Sequence, residues 1–285
     1  LTGPQNWGLL FKPWVMCHNG KMQSPIDIPP DELLFDPNMR PIHVDRISVL
    51  NEVKFKVMSE MLNTGQMPRI RIGNSLRKPS ANLTGGPLHG YKYRIQRIDI
   101  HIGRDGINGS EHTIDGKRFP MEIQLLAYNS DLYRNFSSAS RLPHGIAAIS
   151  VLVDYGTETN HELLKLTVAA ASTIYKGQRV ELIELEPWRL LPYTRNIISY
   201  EGSMTSPGCY ETVTWIIVNQ PIHITRDNMA EWGKMVQTTN KSDEPQFLAP
   251  NRRAVQELRS RLIRTNIRHL LKVSVTLATC SSVYV

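Results

Sequence analysis

The amino-acid sequence predicts a mainly β fold with peripheral helices, organised as a single domain around one sheet. The chain has 285 residues, a length that β-rich single domains often reach. Its 18 glycines and 18 prolines are spread evenly, which is typical of many short elements joined by turns. The sequence contains no internal repeat, low-complexity stretch or long polar linker, so nothing in it marks a boundary between two domains.

Six segments have the pattern of β-strands. They are short, rich in isoleucine and valine, and bounded by glycine, proline or asparagine. In chain order they are residues 69–72, 93–102, 121–128, 146–155, 212–218 and 267–277.

Two segments have the pattern of helices. Residues 162–175 carry a spaced apolar face and end at Lys176-Gly177; the face consists of Leu164, Val168, Ala171 and Tyr175. The second helix begins after Thr225, a good N-cap residue, and runs to about residue 237. Many strands and few helices together indicate a sheet-centred domain.

Polar residues line one face of two otherwise apolar strands. In strand 93–102, Arg97, Asp99 and His101 alternate with isoleucines, and a period of two places these three side chains on one face, about 6 to 7 Å apart. In strand 121–128, Glu122 and Gln124 likewise share a face. Such a polar face predicts a cleft or cavity over the sheet.

The composition is that of a soluble globular domain, with 41% hydrophobic and 21% charged residues. These values exclude a disordered, collagenous or coiled-coil protein. No window holds 18 uninterrupted apolar residues, so a membrane span is not expected. Because the chain begins at Leu1 without a methionine or a leader, we expect a trimmed or mature fragment whose signal peptide is missing.

The chain is basic, with 33 Lys and Arg against 26 Asp and Glu, a net charge of +7. This surplus favours acidic partners, although no zinc-finger, RNA-recognition or helix-turn-helix signature supports nucleic acid. Part of it lies in residues 252–272, beside a single acid, Glu257. Two interpretations stay open there: a solvated surface with some arginines paired, or a patch for an anionic glycan such as heparan sulfate. The candidate patch residues are Arg252, Arg253, Arg259, Arg261, Arg264 and Arg268.

Cysteines and glycosylation motifs bear on the compartment. Three cysteines, Cys17, Cys209 and Cys280, are neither a metal quartet nor a disulfide framework, and they allow one bridge with one thiol left over. Four Asn-x-Ser/Thr motifs occur, against about two expected by chance, which is mild support for secretion. The motif at Asn108 overlaps a longer motif described below; the remaining candidate N-glycosylation sites are Asn82, Asn135 and Asn240.

Five longer motifs give the sequence a family resemblance. They are QSPIDI at 23–28, GGP at 85–87, GSEH at 109–112, GSMTSP at 202–207 and TWII at 214–217. In this order they resemble the motifs of α-carbonic anhydrases, over more than nine-tenths of the chain. The resemblance implies a single domain with a core at about 7–270 and a tail at 271–285. It also implies a central ten-stranded, mostly antiparallel twisted sheet with a conical cleft above it.

The resemblance also locates the family's zinc site. Three neutral imidazoles hold Zn²⁺ there, from a His-x-His on one strand and a Glu-x-His on its neighbour. The matching positions here are Asp99, His101 and Gln124, and the usual proton-shuttle histidine is replaced by Gln66. The resemblance therefore implies no zinc cofactor and no catalysis. The alternative is a zinc-dependent carbonic anhydrase or esterase with an atypical ligand set, since Asp is an accepted zinc ligand.

The residues around those positions match the family's supporting groups. Glu111 and Thr205 match the pair that orients zinc-bound hydroxide, and Glu122 matches the carboxylate that steadies the third histidine. In place of a metal we expect a charge cluster in which Asp99 lies between Arg97 and His101. A carboxylate neighbour favours imidazolium, so we expect a raised pKa for His101.

The resemblance also implies a compartment. Cys17 and Cys209 match the two places that a disulfide joins in extracellular carbonic anhydrases, which favours a secreted protein. Cys280 then becomes the thiol left over, a candidate for intermolecular pairing or simply a free thiol.

Within the family, the sequence resembles the inactive, secreted carbonic anhydrase-related proteins of the X/XI branch. The matching segments are 202–205, 209–212, 215–217, 224–226 and 263–267. This implies an extracellular ligand of the nervous system that binds cell-surface partners, with neurexins as the leading candidates. Asp99 is a departure, because that branch carries arginine at the first ligand position.

Overall fold

A single large mixed sheet organises the fold, in a computed structural model that describes residues 3–45, 57–73, 81–241 and 243–268. Fifteen strands occur in this part of the chain: β1 (Asp27–Ile28), β2 (Leu33–Phe35), β3 (Ile42–Val44), β4 (Val57–Asn63), β5 (Pro68–Ile72), β6 (Asn82–Gly85), β7 (Tyr93–Ile102), β8 (Thr113–Ile114), β9 (Met121–Asn129), β10 (Ile146–Tyr155), β11 (Arg179–Leu185), β12 (Ile197–Gly202), β13 (Val213–Val218), β14 (Ile222–Ile224) and β15 (Ile263–Thr265). The α-helices are α1 (Trp7–Leu10), α2 (Met16–Asn19), α3 (Phe136–Ala139), α4 (His161–Ala171) and α5 (Arg226–Gly233).

Thirteen strands belong to the large sheet, and ten of them form its main path. The order along that path is β11-β4-β5-β7-β9-β10-β13-β12-β15-β2, while β3, β6 and β14 pair at its sides. Most pairs are antiparallel; β10 with β13, β10 with β14, and β15 with β2 are parallel. The prediction of a mainly β fold around a mostly antiparallel sheet is confirmed, with three more strands than the ten expected.

The two faces of the sheet contribute to two apolar cores. Ile98, Ile100 and Ile102 of β7 pack in one core with Leu163 and Trp232 of the helices. The other core contains a second set of side chains, including Leu126, Ala148, Tyr200 and Trp215. Because side chains alternate along a strand, Asp99 and His101 lie on the face that carries this second core. Every residue of β9 is buried, so the polar face predicted there lies inside the protein.

Five of the six predicted strands correspond to β5, β7, β9, β10 and β13, within one residue at each end. The sixth, 267–277, is not seen: residues 267 and 268 are outside any strand, and 269–277 lie outside the described residues. A three-residue strand, β15, comes just before it.

Both predicted helices exist but are shorter. Helix α4 ends at Ala171, and the apolar face predicted for it is wrong, since Leu164 is 40% and Val168 64% exposed. Its buried side is one position away, at Leu163, Leu166 and Ala170, so leucine at both 163 and 164 made the two faces alike in sequence. Thr225 caps α5 by accepting a hydrogen bond from Asn228 N, and this helix ends at Gly233.

Candidate active-site cleft

A cleft of about 740 Å³ opens above the strands that carry the predicted site. Strands β5 and β7 form its floor through Arg69 and Arg97, and α3 forms one side. The lining residues are Trp14, Gln66, Met67, Arg69, Gln96, Arg97, Asn135, Phe136, Ser137, Ser140, Met204, Ser206, Pro207, Gly208 and Tyr210. The cleft predicted from the polar strand face is therefore present, but two arginines stand between it and the positions below.

Asp99 is held by both arginines at the cleft floor. Arg69 donates from Nε to Asp99 Oδ1 at 2.6 Å and from Nη2 to Oδ2 at 3.0 Å. Arg97 Nε lies 3.1 Å from Oδ2 of the same carboxylate. Burial alone would raise the pKa of Asp99, but Arg97 and Arg69 outweigh it and the pKa is lowered. Asp99 is thus an ionised carboxylate shared by two guanidinium groups.

Strand register brings these groups together. Asp99 of β7 is paired with Arg69 of β5 on one side and with Gln124 of β9 on the other. Directly opposed residues in antiparallel strands project to the same face, so the three side chains converge. The ion pair between Asp99 and Arg97 agrees with the expected charge cluster. Arg69 was missed, because no sequence pattern gives the register of two strands 30 residues apart.

His101 is fixed by the loop at residue 251. Its Nδ1 lies 2.9 Å from the carbonyl oxygen of Asn251, and since a carbonyl only accepts, Nδ1 is the donor. The pairing of β5 with β7 ends at Asp99. Beyond that point the side-chain amide of Asn251 bonds β7 instead: its Nδ2 donates to Ile100 O, and its Oδ1 accepts from Ile102 N. His101 Nε2 makes no hydrogen bond to any residue that the structure describes, and Glu111 Oε2 lies 3.4 Å from it. Burial lowers the pKa of His101, but Glu111, Glu122, the Asn251 carbonyl and Asp99 together raise it, the direction expected from sequence.

Gln124 fills its position with an amide that bonds two carboxylates. Its Nε2 donates to Glu111 Oε2 at 2.9 Å and to Glu122 Oε1 at 3.0 Å. Its nitrogen is therefore a hydrogen-bond donor to these two carboxylates, and the residue is 2% exposed.

Glu122 is the most heavily hydrogen-bonded group below the cleft. It accepts from the backbone N–H groups of Glu111 and His112 and from His112 Nδ1 and Ser150 Oγ, each at 2.8 to 2.9 Å, besides Gln124. Burial opposes ionisation, but His112, through its ring and its backbone N–H, and His101 lower the pKa of Glu122 to about 2. His112 also contacts the Tyr200 hydroxyl from Nε2 at 2.7 Å, so it is a hydrogen-bonded core histidine.

The comparisons with known proteins agree with the fold. The model of the eukaryotic-type carbonic anhydrases matches residues 2–267. This chain belongs to the eukaryotic-type carbonic anhydrase family. It is also similar to two proteins of Caenorhabditis elegans. Carbonic anhydrase-like protein 1 is 50% identical, over 94% of this chain and 88% of its own length, and carbonic anhydrase-like protein 2 is 47% identical, over 100% and 83%.

The other positions that the carbonic anhydrase resemblance singled out lie around the cleft. Gln66 is exposed and lines it. Thr205 is buried, but no hydrogen bond joins these two described residues, Thr205 and Glu111: Glu111 accepts instead from Arg253 N at 2.8 Å and from Gln124. In the described part of the chain, no group of three or more His, Cys, Asp or Glu side chains is placed to hold a metal ion.

A disulfide joins Cys17 to Cys209, as the carbonic anhydrase resemblance implied. It ties the N-terminal segment to the loop that follows Thr205. Arg253 reinforces this junction, because its guanidinium donates to Cys17 O at 3.0 Å and to Gln23 Oε1 and Ser24 O at 2.9 Å. Cys280 lies outside the described residues.

The arginines of the candidate basic patch contact other residues of the same chain. Arg253 is 3% exposed, so its inclusion in a surface patch is wrong. The others are at least partly exposed, and each has a described partner. Arg252 donates to Asn108 O, Arg261 to the carbonyls of 201, 257 and 258, while Arg259 pairs with Glu257, Arg264 with Asp36, and Arg268 lies over the Phe35 ring.

The three candidate glycosylation sites differ in accessibility. Asn135 and Asn240 are exposed, and Asn135 lies at the cleft, where its Oδ1 accepts from Ser138 N at the start of α3. Asn82 is half-buried in β6, and its Nδ2 donates to Asp45 at 2.8 Å. No helix among the described residues is long and apolar enough to cross a membrane.

Proposed function

We propose that this chain is a catalytically inactive carbonic anhydrase relative that acts outside the cell as a protein ligand at the cell surface. The observation that carries the first half is the occupation of both Asp99 oxygens by Arg69 and Arg97. The names of the two nematode relatives, carbonic anhydrase-like, are in keeping with a member that departs from the enzymes.

The donor set does not fit a zinc ion. A cation at the metal position would meet a carboxylate already neutralised by two guanidinium groups, and those groups would repel it. Gln124 offers a neutral amide, a poor ligand for Zn²⁺, whose nitrogen is turned to Glu111 and Glu122. Among the described residues, His101 Nε2 is the one side-chain nitrogen of the three positions that makes no hydrogen bond. One donor is too few for a zinc site.

The extracellular part of the proposal is supported by the Cys17–Cys209 disulfide, because such bonds persist in oxidising compartments. The exposed glycosylation motifs at Asn135 and Asn240 are compatible with it. The partner class comes from the resemblance to the X/XI branch: a neurexin-like protein, in the nervous system. We expect the chain to bind an immobilised neurexin ectodomain saturably. An absence of binding would contradict the choice of a neurexin as the partner.

Restoring the three zinc ligands by mutation tests whether their loss makes the chain inactive. Arg69 and Arg97 must be replaced as well, because both pair with Asp99. Asp99→His with Gln124→His recreates three histidines but leaves Arg69 and Arg97 without their counterion. We therefore expect this double variant to bind zinc poorly. Adding Arg69→Asn and Arg97→Gln removes the repulsion, and we expect about one zinc per chain and measurable CO₂ hydration.

The control for this experiment is His101→Ala in the four-site background, which should lose zinc again. Wild-type protein is assayed beside it. Zinc binding and CO₂ hydration by the wild type at the level of the four-site variant would contradict the proposal and favour the alternative, an enzyme with an atypical ligand set.

A further inference from the structure

We propose that the cleft is a carboxylate-binding site, in which an anionic oxygen ligand is held by the guanidinium groups of Arg69 and Arg97. The inference goes beyond the proposed function, because it depends neither on the partner's identity nor on the absence of zinc.

The charges that line the cleft have one sign. Arg69 and Arg97 are the charged residues among those lining it, and no Asp or Glu of the described chain is among them. Asp99 lies beneath the two arginines and neutralises one positive charge of the two. Its side chain is 4% exposed, whereas those of Arg69 and Arg97 are 21% and 17% exposed. A ligand entering from solvent therefore meets the guanidinium groups and not the carboxylate.

The deeper carboxylates do not cancel the remaining charge at the floor. Glu122 accepts its hydrogen bonds from His112, Ser150, Gln124 and the backbone of Glu111, away from the two arginines. Glu111 faces His101 and accepts from Arg253 N and Gln124. Neither carboxylate makes an ion pair with Arg69 or Arg97 in the described part of the chain.

Both arginines keep donors for a ligand. Arg69 uses Nε and Nη2 on Asp99, and no hydrogen bond of Nη1 to a described residue occurs. Arg97 faces Asp99 with Nε alone, and its two terminal nitrogens make no hydrogen bond to the described chain. Phe136 lies 4.9 Å from the Arg97 guanidinium, an arrangement that holds the group in place.

Guanidinium donors select the chemistry of the ligand. Paired N–H groups match the two oxygens of a carboxylate, and these charge-assisted bonds are stronger than neutral ones. The cleft volume of about 740 Å³ admits a side chain or a small acid. A ligand that these donors fit is a carboxylate, from either a free acid or an acidic side chain of another protein.

The test is a titration of the 285-residue chain, with the arginine Nε–H signals followed by NMR at constant ionic strength. The probes are acetate and N-acetyl-glutamate amide, and the matched uncharged probe is N-acetyl-glutamine amide. We expect saturable shifts at Arg69 and Arg97 with both acids and none with the glutamine compound. Tighter binding of the blocked glutamate assigns a protein side chain as the source, and equal or weaker binding assigns free acids.

Two variants and a control locate the site. Gln66→Glu places a carboxylate on the cleft wall without touching Asp99 or its partners, and we expect about tenfold weaker acetate binding from repulsion. Arg97→Gln should abolish saturation, and Arg195→Gln, at an exposed residue outside the cleft, should not change it. Because Gln66→Glu keeps every contact of Asp99, it remains informative even if Arg97→Gln does not fold.

The result that overturns the proposal is a linear response to both acids, an equal response to the glutamine compound, or unchanged binding in Gln66→Glu. Zinc content is a separate measurement, so failure here leaves the proposed function standing, and the reverse also holds.

Discussion

Asp99→Ala is expected to lower the free energy of unfolding by about 3 kcal/mol, because removing one partner of a buried ion pair leaves its counter-charges unpaired. Here one carboxylate serves two arginines, so both Arg69 and Arg97 lose their partner in a single change. Both arginines are partly exposed to the cleft, so water can hydrate them after the substitution. The expected loss is therefore at the lower end of the free-energy range seen when one partner of a buried ion pair is removed. Urea unfolding of the oxidised protein measures it.

Two further variants separate this effect from a general packing defect. Asp36→Ala removes the acid of a more exposed pair with Arg264, and we expect a loss of about 1 kcal/mol or less. Replacing the whole cluster with apolar side chains, as Asp99→Leu with Arg69→Met and Arg97→Met, should recover most of the stability lost in Asp99→Ala. A loss from Asp99→Ala no larger than that from Asp36→Ala would contradict the ion-pair geometry.

Glu122→Gln is expected to cost about 3 kcal/mol at neutral pH. The carboxylate has a pKa of about 2 in the folded protein against 4.5 for a free side chain, a difference that corresponds to this free energy. The substitution also turns an NH₂ group toward donors that now bond oxygen. The measurement is urea unfolding of wild type and variant across a pH series.

The stabilisation by Glu122 should depend on pH. Because the folded-state pKa is lowered, the contribution of Glu122 is complete above 4.5 and is lost as pH falls toward 2. The difference in free energy of unfolding between wild type and Glu122→Gln should therefore become smaller as the pH falls from 4.5 toward 2. Ser150→Ala removes a single donor to the same carboxylate and should cost about 1 kcal/mol. A gap that stays constant down to pH 2 would show that Glu122 is not held as a carboxylate.

The sequence predicted the long central strands well, for a physical reason. Strands such as β7 and β10 are ten residues long and rich in isoleucine and valine, so their pattern stands out. Strands of two or three residues, such as β1, β2 and β15, are too short for a period to be visible. The face of α4 was misassigned because leucines occur at both 163 and 164, and only packing distinguishes them.

The site was predictable in part for a related reason. His101 and Asp99 follow from alternation within one strand, and the family motifs supplied Gln124 from its neighbour. Arg69 and Asn251 could not be found this way, because each meets β7 through a pairing or a loop contact that is remote in sequence. Arg253 shows the converse limit: a run of arginines in sequence does not distinguish an exposed guanidinium from one enclosed beside a disulfide.

We propose that Asp99, with its two arginines, and Gln124 have replaced the metal site of the carbonic anhydrases. The zinc-to-protein ratio of chain purified from a secretory host, with no metal added and none stripped, tests this replacement. We expect a ratio near zero. A ratio near one, lost on His101→Ala, would show that His101 recruits further ligands and that the pairing of Asp99 with Arg69 and Arg97 yields to a metal ion.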